Sequence, residues 1–422
     1  MAGGSRKSRS VAGGPAAPST TLVLDNGADT IKAGLIPTGS SGGDDNTPTQ
    51  LQPRIIPNCI ARDRHKKIYV ASELDKCRDF GEMAFRRPVE KGYIVNWEAQ
   101  KEIWEREFFD EKAPLRCDPA ETRLVLAEQP NALPALQTHC DQMNMPVTLP
   151  AEIMLLIDSG YSHTTITPLL QGRPLHPAIR RLDVGGKLMT NYLTRLISMR
   201  HFDMRNETYV VNEMKEAACY VSLDFKGDLE KTWKGTRDEK RKDWLTGAGI
   251  AKDYVLPDSH TRFHGVLRDY DPNASRARRG IPNTEDVLTL RNERFVVPEL
   301  LFHPSDIGLR QPGLADLIMQ SLSVLPIGLW PGLLANVVVV GGNAKFENFI
   351  QRLQMELLER VPTECVVRVA RPENPIISTW LGASNFARHE HVERLAVTKQ
   401  QYEEYGAGWV ARKFAAGLGV DS

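Results

Sequence analysis

Two stretches of the chain repeat one pattern of apolar and polar positions. Residues 21–24 (TLVL) form a short apolar run, Asp25-Asn26-Gly27 breaks it, and residues 30–35 (TIKAGL) resume it with alternation. Alternation at period two is the mark of a strand with one covered face. Asn-Gly between two such runs predicts a hairpin closed by a type I′ turn, with positive φ at both central residues. The pattern returns as residues 154–157 (MLLI), Asp158-Ser159-Gly160 and residues 164–170. Asp158 stands 133 positions after Asp25, so one strand-turn-strand unit occurs twice. Such a duplication predicts two related lobes facing each other.

Between and beyond these units the period changes. Residues 186–199 and, over a shorter span, 213–221 carry a clear apolar stripe, and residues 95–109 a mixed one; each predicts a helix. Val337–Val340 is an unbroken apolar run, as buried parallel strands often are. Gly341-Gly342 then predicts a tight turn, and Asn343 an N-cap for a helix over residues 346–358. Residues 38–52 are rich in Gly, Ser and Asp and read as a loop, and residues 226–253 are strongly charged. Residues 269–283 carry Arg276, Arg278 and Arg279 and read as an insertion in a hairpin, between strands at 254–256 and 287–290. Residues 1–20 are rich in Gly, Ser, Ala and Pro without an apolar stretch, which reads as a disordered tail and not a secretory leader.

Composition narrows the classes. The 422 residues suffice for one large two-lobed unit or for two or three smaller domains. The 53 basic and 53 acidic residues leave no net charge, which argues against a generic polyanion binder. None of the six cysteines pairs at metal-ligand spacing, and a reducing compartment fits them best. No apolar run is long enough to cross a bilayer.

The duplicated turns carry the candidate chemistry. A nucleotide's phosphates need close backbone donors, a cation, and carboxylates that hold the waters of magnesium. Facing turns led by Asp25 and Asp158 meet that need, and Lys32 on the return strand supplies a cation for the outer phosphates. Taken singly, each piece is ordinary: Asp-Asn-Gly is usually just a hairpin turn, Lys32 a solvated strand charge, Gly341-Gly342 a strand-to-helix turn. Two strand-Asp-x-Gly-strand units followed by a strand-Gly-Gly-helix unit form a far rarer combination.

The segments LVLDNGADTIKAG, LLIDSG, RLDVGGKLMTNYL, VNEMKEAACYVSLDF, VVVVGGN and STWLGAS resemble motifs of the actin family, in the family's order and over nearly the whole chain. The resemblance implies an α/β, actin-like fold of the Hsp70/hexokinase type, two-lobed with a central nucleotide cleft. Residues 21–53, 84–150 and 374–422 would form the small-lobe core, and residues 54–83 a shortened second subdomain. Residues 151–188 and 298–373 would form the large-lobe core, and residues 189–297 a fourth subdomain with charged insertions.

The resemblance also implies ATP or ADP with Mg2+. Asp25, Asn26, Gly27 and Lys32 would bind it from one lobe, and Asp158, Ser159 and Gly160 from the other. Asp25 and Asp158 would reach magnesium through water. Gly186 joins the nucleotide contacts; Lys215 and Glu216 would sit by the ribose and adenine, and Gly341, Gly342, Asn343 and Phe346 would line the adenosine pocket.

The segments KGYIVNW, DSGYS and PENPI are similar to a nuclear branch of the family. That branch implies a subunit of an SWR-type chromatin remodeller, which exchanges a variant histone into nucleosomes. A motor ATPase and a small zinc-finger subunit would be its partners, with the nucleosome reached through the complex. An autonomous ATPase of the same superfamily is the alternative.

Three departures from the family pattern bear on mechanism, the second of them covering both the stretch 128–158 and position 165. Residues 62–67 lead almost directly into residues 68–70, too short for the exposed loop that docks actin subunits, so no filament is expected. The stretch 128–158 is well over a dozen residues short of the pattern, and Gln129, Gln137 and Gln142 match no water-positioning role. Thr165 stands where the family has a histidine at the catalytic site, with His163 two residues before it. Hydrolysis is therefore expected to be weak or absent, with no catalytic residue. Finally, Asp29 replaces a glycine beside the phosphates, and Ile376 a lysine at the adenine end.

Overall fold

The computed structural model describes residues 20–37, 52–119, 121–127, 153–233, 249–258, 261–270, 285–388 and 392–415. The N-terminal tail, the loop from residue 38, Gln129, Gln137, Gln142 and the basic cluster Arg276, Arg278 and Arg279 lie outside the described residues.

Two sheets organise the chain, and each is built on one of the duplicated hairpins. In the first, Thr20–Asn26 pairs antiparallel with Thr30–Pro37 and parallel with Thr122–Ala127, while Arg54–Pro57 extends the far side. In the second, Ile153–Ser159 pairs antiparallel with Thr164–Leu170 and parallel with Val337–Val340. Val369–Ala370 continues that sheet beyond the valine strand. The registers repeat as well: Asp25 faces Lys32 and Ala127, and Asp158 faces Thr165 and Val340. Both aspartates therefore sit near the carboxyl end of a strand with a parallel neighbour, the edge at which open α/β sheets hold ligands.

The turns differ from expectation. Pairing runs to Asn26–Ile31 in one hairpin and to Ser159–Thr164 in the other, so each loop has four residues, 27–30 and 160–163. Neither Asn26 nor Gly27 has a positive φ. A four-residue loop reverses the chain without the left-handed pair that a two-residue type I′ turn demands. Gly27 is needed for a different reason: a Cβ there would lie 2.6 Å from the Thr30 carbonyl oxygen.

Helices cover the sheets where apolar stripes predict them, with shifted ends. Gly186–Arg200 matches its stripe, and Trp97–Trp104 continues as a π-helical turn over Glu105–Phe109. The helix expected at 213–221 is Thr208–Ala218, because its buried face starts at Val210 and Val211 and the chain turns extended at Cys219. The helix expected at 346–358 begins only at Phe349, after a 3-10 turn at Gly342–Lys345. Near the basic insertion, Lys252–Val255 pairs with Val287–Leu290 and also with Val266–Asp269, a strand the sequence reading missed. The insertion thus joins the two outer strands of a three-stranded sheet.

The large-lobe core gathers Leu155, Ile157, Leu193, Val339, Phe349 and their neighbours into one apolar cluster. The first sheet is closed by the helix Ser378–Ala387. Its Trp380 is fully buried and donates its indole N–H to the Val23 carbonyl at 3.0 Å, over the bare face of Gly34. Among the described residues no helix is long and apolar enough to cross a membrane, Cys59, Cys77, Cys117, Cys219 and Cys365 are free thiols, and no cluster of metal-ligating side chains forms.

Candidate functional site

Loop 27–30 and loop 160–163 bring Asp25 and Asp158 close enough to repel. Burial and then the Asp25 charge push the Asp158 carboxyl up to about 6, against a smaller opposing pull from Lys32. Lys32 Nζ lies 3.4 Å from the Asp25 carboxylate and donates to the Thr30 carbonyl at 3.3 Å. Two carboxylates sharing one cation form an oxygen-rich, underneutralised pair, which a hard divalent ion would relieve.

The first loop is buttressed from behind by amides. Asn26 donates to Gln100 Oε1 at 3.1 Å and accepts from the Trp104 indole at 3.2 Å. Asn58 exchanges bonds with Gln100 and donates to the Gly27 carbonyl at 2.8 Å. Both ends of the Asn26 side chain are therefore engaged inside the small lobe. Gln100, Asn58 and Trp104 escaped the sequence reading. The only signal for them was the placement of Gln100 and Trp104 on one face of a predicted helix.

The second loop is fastened by the helix that follows and by the valine strand. Gly186 N–H donates to the Gly160 carbonyl at 3.1 Å, and Lys187 N–H to the Tyr161 carbonyl at 2.8 Å. Gly341 has φ of +91°, and a Cβ there would collide with the Ser159 carbonyl oxygen, so only glycine fits. Asn343 does not cap the following helix as expected. Its amide crosses instead to the Gly160 carbonyl at 2.8 Å and the Ser159 hydroxyl at 3.2 Å. Asn348, in the left-handed conformation, occupies the N-cap position without a side-chain cap bond. Ser159 is fully buried and also bonds Thr164 at 2.9 Å.

The residues assigned to the ribose end have varied surroundings. Lys215 is buried, and its ammonium donates to the Gly186 carbonyl, Thr190 Oγ1 and Asn212 Oδ1 at 2.9–3.2 Å. All three of its donors are spent, and burial lowers its proton affinity. Glu216 is exposed and accepts from Asn212 at 2.8 Å. Phe346 and Asn343 are buried, and Gly342 is open on its Cβ side. His163 is held neutral, its pKa lowered to about 4 by burial and by Arg181. Asp183 beside Arg181 is its other charged neighbour.

Asp29 is neutralised from within the protein. Arg87, just past the strand Ala84–Arg86, meets its carboxylate at 2.8 Å and lies over the Tyr161 ring at 4.9 Å. The cost of an added carboxylate beside a phosphate site is thus met by a side chain that no motif announced.

The loops fit a magnesium-bound phosphate chain: two carboxylates in need of a cation, and Lys32 beside them. A family model described as actin matches residues 16–148 and 151–415, and its one break falls inside the stretch read as shortened. The chain is 70% identical to actin-related protein 6 of Neurospora crassa, covering 99% of each chain. It is 32% identical to actin-related protein 6 of Oryza sativa subsp. japonica, over 94% of this chain and 99% of the relative. It is also 32% identical to actin-related protein 6 of Drosophila melanogaster, over 91% and 97%. On this match, and with the paired hairpins that the motifs predict, the chain belongs to the actin family.

Proposed function

We propose that the chain clamps an adenine nucleotide with Mg2+ between its lobes and serves as a non-filamentous structural subunit of a nuclear, SWR-type chromatin-remodelling complex. The observation that carries the nucleotide reading is the Asp25–Asp158 pair, two carboxylates left with Lys32 as their cation at the carboxyl ends of matched strands. Magnesium, when bound, supplies the charge that lets both carboxylates ionise together. Asp25 and Asp158 would hold its waters, Lys32 would meet the phosphates, and the backbone of Gly160 would approach them closely. Gly186, Asn343 and Phe346 shape the wall of the pocket.

Shape retention, and not turnover, is the role of these residues. Thr165 is buried in the second sheet and His163 in the loop before it, where its charged neighbours are Arg181 and Asp183. The similarity to relatives called actin-related protein 6 supports a nuclear actin-related protein. The tight hairpin of Ile60–Arg62 with Ile68–Val70, closed by residues 63–67, supports the absence of filament docking.

Affinity purification from nuclear extract tests the proposal. Recovery of a remodelling motor ATPase and a small zinc-finger subunit, with adenine nucleotide extractable from the complex, is the expected result. Their absence would count against it, and robust ATP turnover by the isolated chain would favour an autonomous ATPase.

A further inference from the structure

Tyr209 belongs to one lobe and packs in the other. It lies on the helix Thr208–Ala218, whose Val210, Val211 and Met214 are buried in the large-lobe cluster with Leu155 and Ile157. Its own ring lies against a separate cluster that includes Cys59, Ala61, Tyr69 and Phe80. That cluster is built on the three-stranded sheet of Ile60–Arg62, Ile68–Val70 and Ala84–Arg86. Val70 of the same sheet is buried in the core under the first hairpin, which places the cluster in the small lobe.

The contact between the lobes is aromatic. Phe80 and Tyr209 stack with ring centroids 4.0 Å apart and planes 6° from parallel, and Phe85 lies 6.2 Å from the same tyrosine at 11°. Phe80 also meets His264 at 6.4 Å, and His264 is hydrogen-bonded at 2.8 Å to Glu213 of the helix that carries Tyr209. Beside the rings, the Glu82 N–H donates to the Glu207 carboxylate at 3.2 Å. Phe80, Phe85 and Tyr209 line a cavity of about 380 Å3 together with Asp29 and Tyr161 of the two phosphate loops. The cavity thus runs between the rings and the loops, and parting the rings opens it. Stacked rings shed water from their faces, and the pair is worth more than that area alone. Every partner here is a protein group, so the attraction does not pass through a ligand. We propose that the Phe80–Tyr209 stack is a clasp that holds the two lobes closed whether or not the cleft carries a nucleotide. Closure of this kind stands apart from the nucleotide reading above.

Small-angle X-ray scattering on the full chain, stripped of nucleotide in EDTA, tests the clasp. The unmodified protein is expected to keep one radius of gyration in EDTA and in Mg-ADP. Tyr209→Ala is expected to give a larger radius in EDTA, and Tyr209→Phe, which keeps the ring, to match the unmodified protein. Circular dichroism confirms that each variant is folded. Cys59 gives a second readout, because it is buried and lines the cavity behind the rings. Burial pushes its thiol up to about 11, so it is inert until the cavity opens. Its alkylation in EDTA, followed by peptide mass spectrometry, should be at least about tenfold faster in Tyr209→Ala than in the unmodified chain. Cys117, buried in the core under the first hairpin, should keep its rate. A larger radius of the unmodified chain in EDTA than in Mg-ADP overturns closure without ligand. An unchanged radius in folded Tyr209→Ala overturns the role of the stack. Equal acceleration at Cys117 assigns the change to global loosening and overturns the clasp as well.

Discussion

Asp158→Asn separates the cost of the carboxylate pair from its use. In the folded chain burial and Asp25 raise the Asp158 pKa from 3.8 to about 6. The folded state therefore holds the proton more tightly than the unfolded one. The penalty is absent below pH 3.8, grows between 3.8 and about 6, and is fully present above that. A rise of about two units corresponds to about 3 kcal/mol. Asp158 lies deep among protein atoms but keeps part of its surface open to the cleft, so this figure is a ceiling. The nucleotide-free asparagine variant, melted in EDTA at pH 7.5, is expected to be more stable than the unmodified chain by up to that amount. At pH 4 the two should converge. Added Mg-ADP should stabilise the unmodified chain more than the variant, because the ion removes a repulsion that the variant never had. A variant less stable in EDTA at pH 7.5, with an undiminished response to Mg-ADP, would refute the reading of the pair.

Three further outcomes follow from the packing. Arg352 bridges Glu299 at 2.8 Å, Glu356 at 2.7 Å and the Ser222 carbonyl at 2.6 Å inside the large lobe. Arg352→Ala strands a buried carboxylate and should cost about 3–5 kcal/mol in urea denaturation. Gly341→Ala forces a Cβ into the Ser159 carbonyl at positive φ and should destabilise by about 1–3 kcal/mol while weakening nucleotide retention on gel filtration. His303, bonded to Glu299 at 2.7 Å, has a raised pKa. Its contribution is whole below the unfolded value of 6.5 and lost as pH rises through the folded one, so His303→Gln should flatten the melting-temperature profile between pH 6 and 8.

The strands and glycines of the site were legible because each carries its own local reason. Apolar runs at residues 21–24 and 154–157 need a covered face, and Gly341 follows a strand too apolar to be anything but buried. Loop length was not legible: Asn-Gly signals a tight turn locally, but the register is set by pairing further along both strands. The strand Val266–Asp269 was missed because it is short and mostly exposed, with no alternation to betray it. Arg87 and Tyr161 were invisible for another reason. Their roles arise from a meeting of two loops and a third segment, and an arginine before a proline carries no trace of it. Asn343 misled because its type suits an N-cap, while the carbonyl it satisfies belongs to a loop 183 residues earlier.

The bond from Trp380 to Val23 ties together positions 357 apart in sequence. A ribosome releases the first strand early and the tryptophan near the end, so the apolar face of the first hairpin has no permanent cover through most of synthesis. Contacts of such separation slow folding and leave sticky surface waiting. The small lobe should therefore be the last part to become protease-resistant during translation, and nascent chains stalled before residue 378 should remain bound to chaperones.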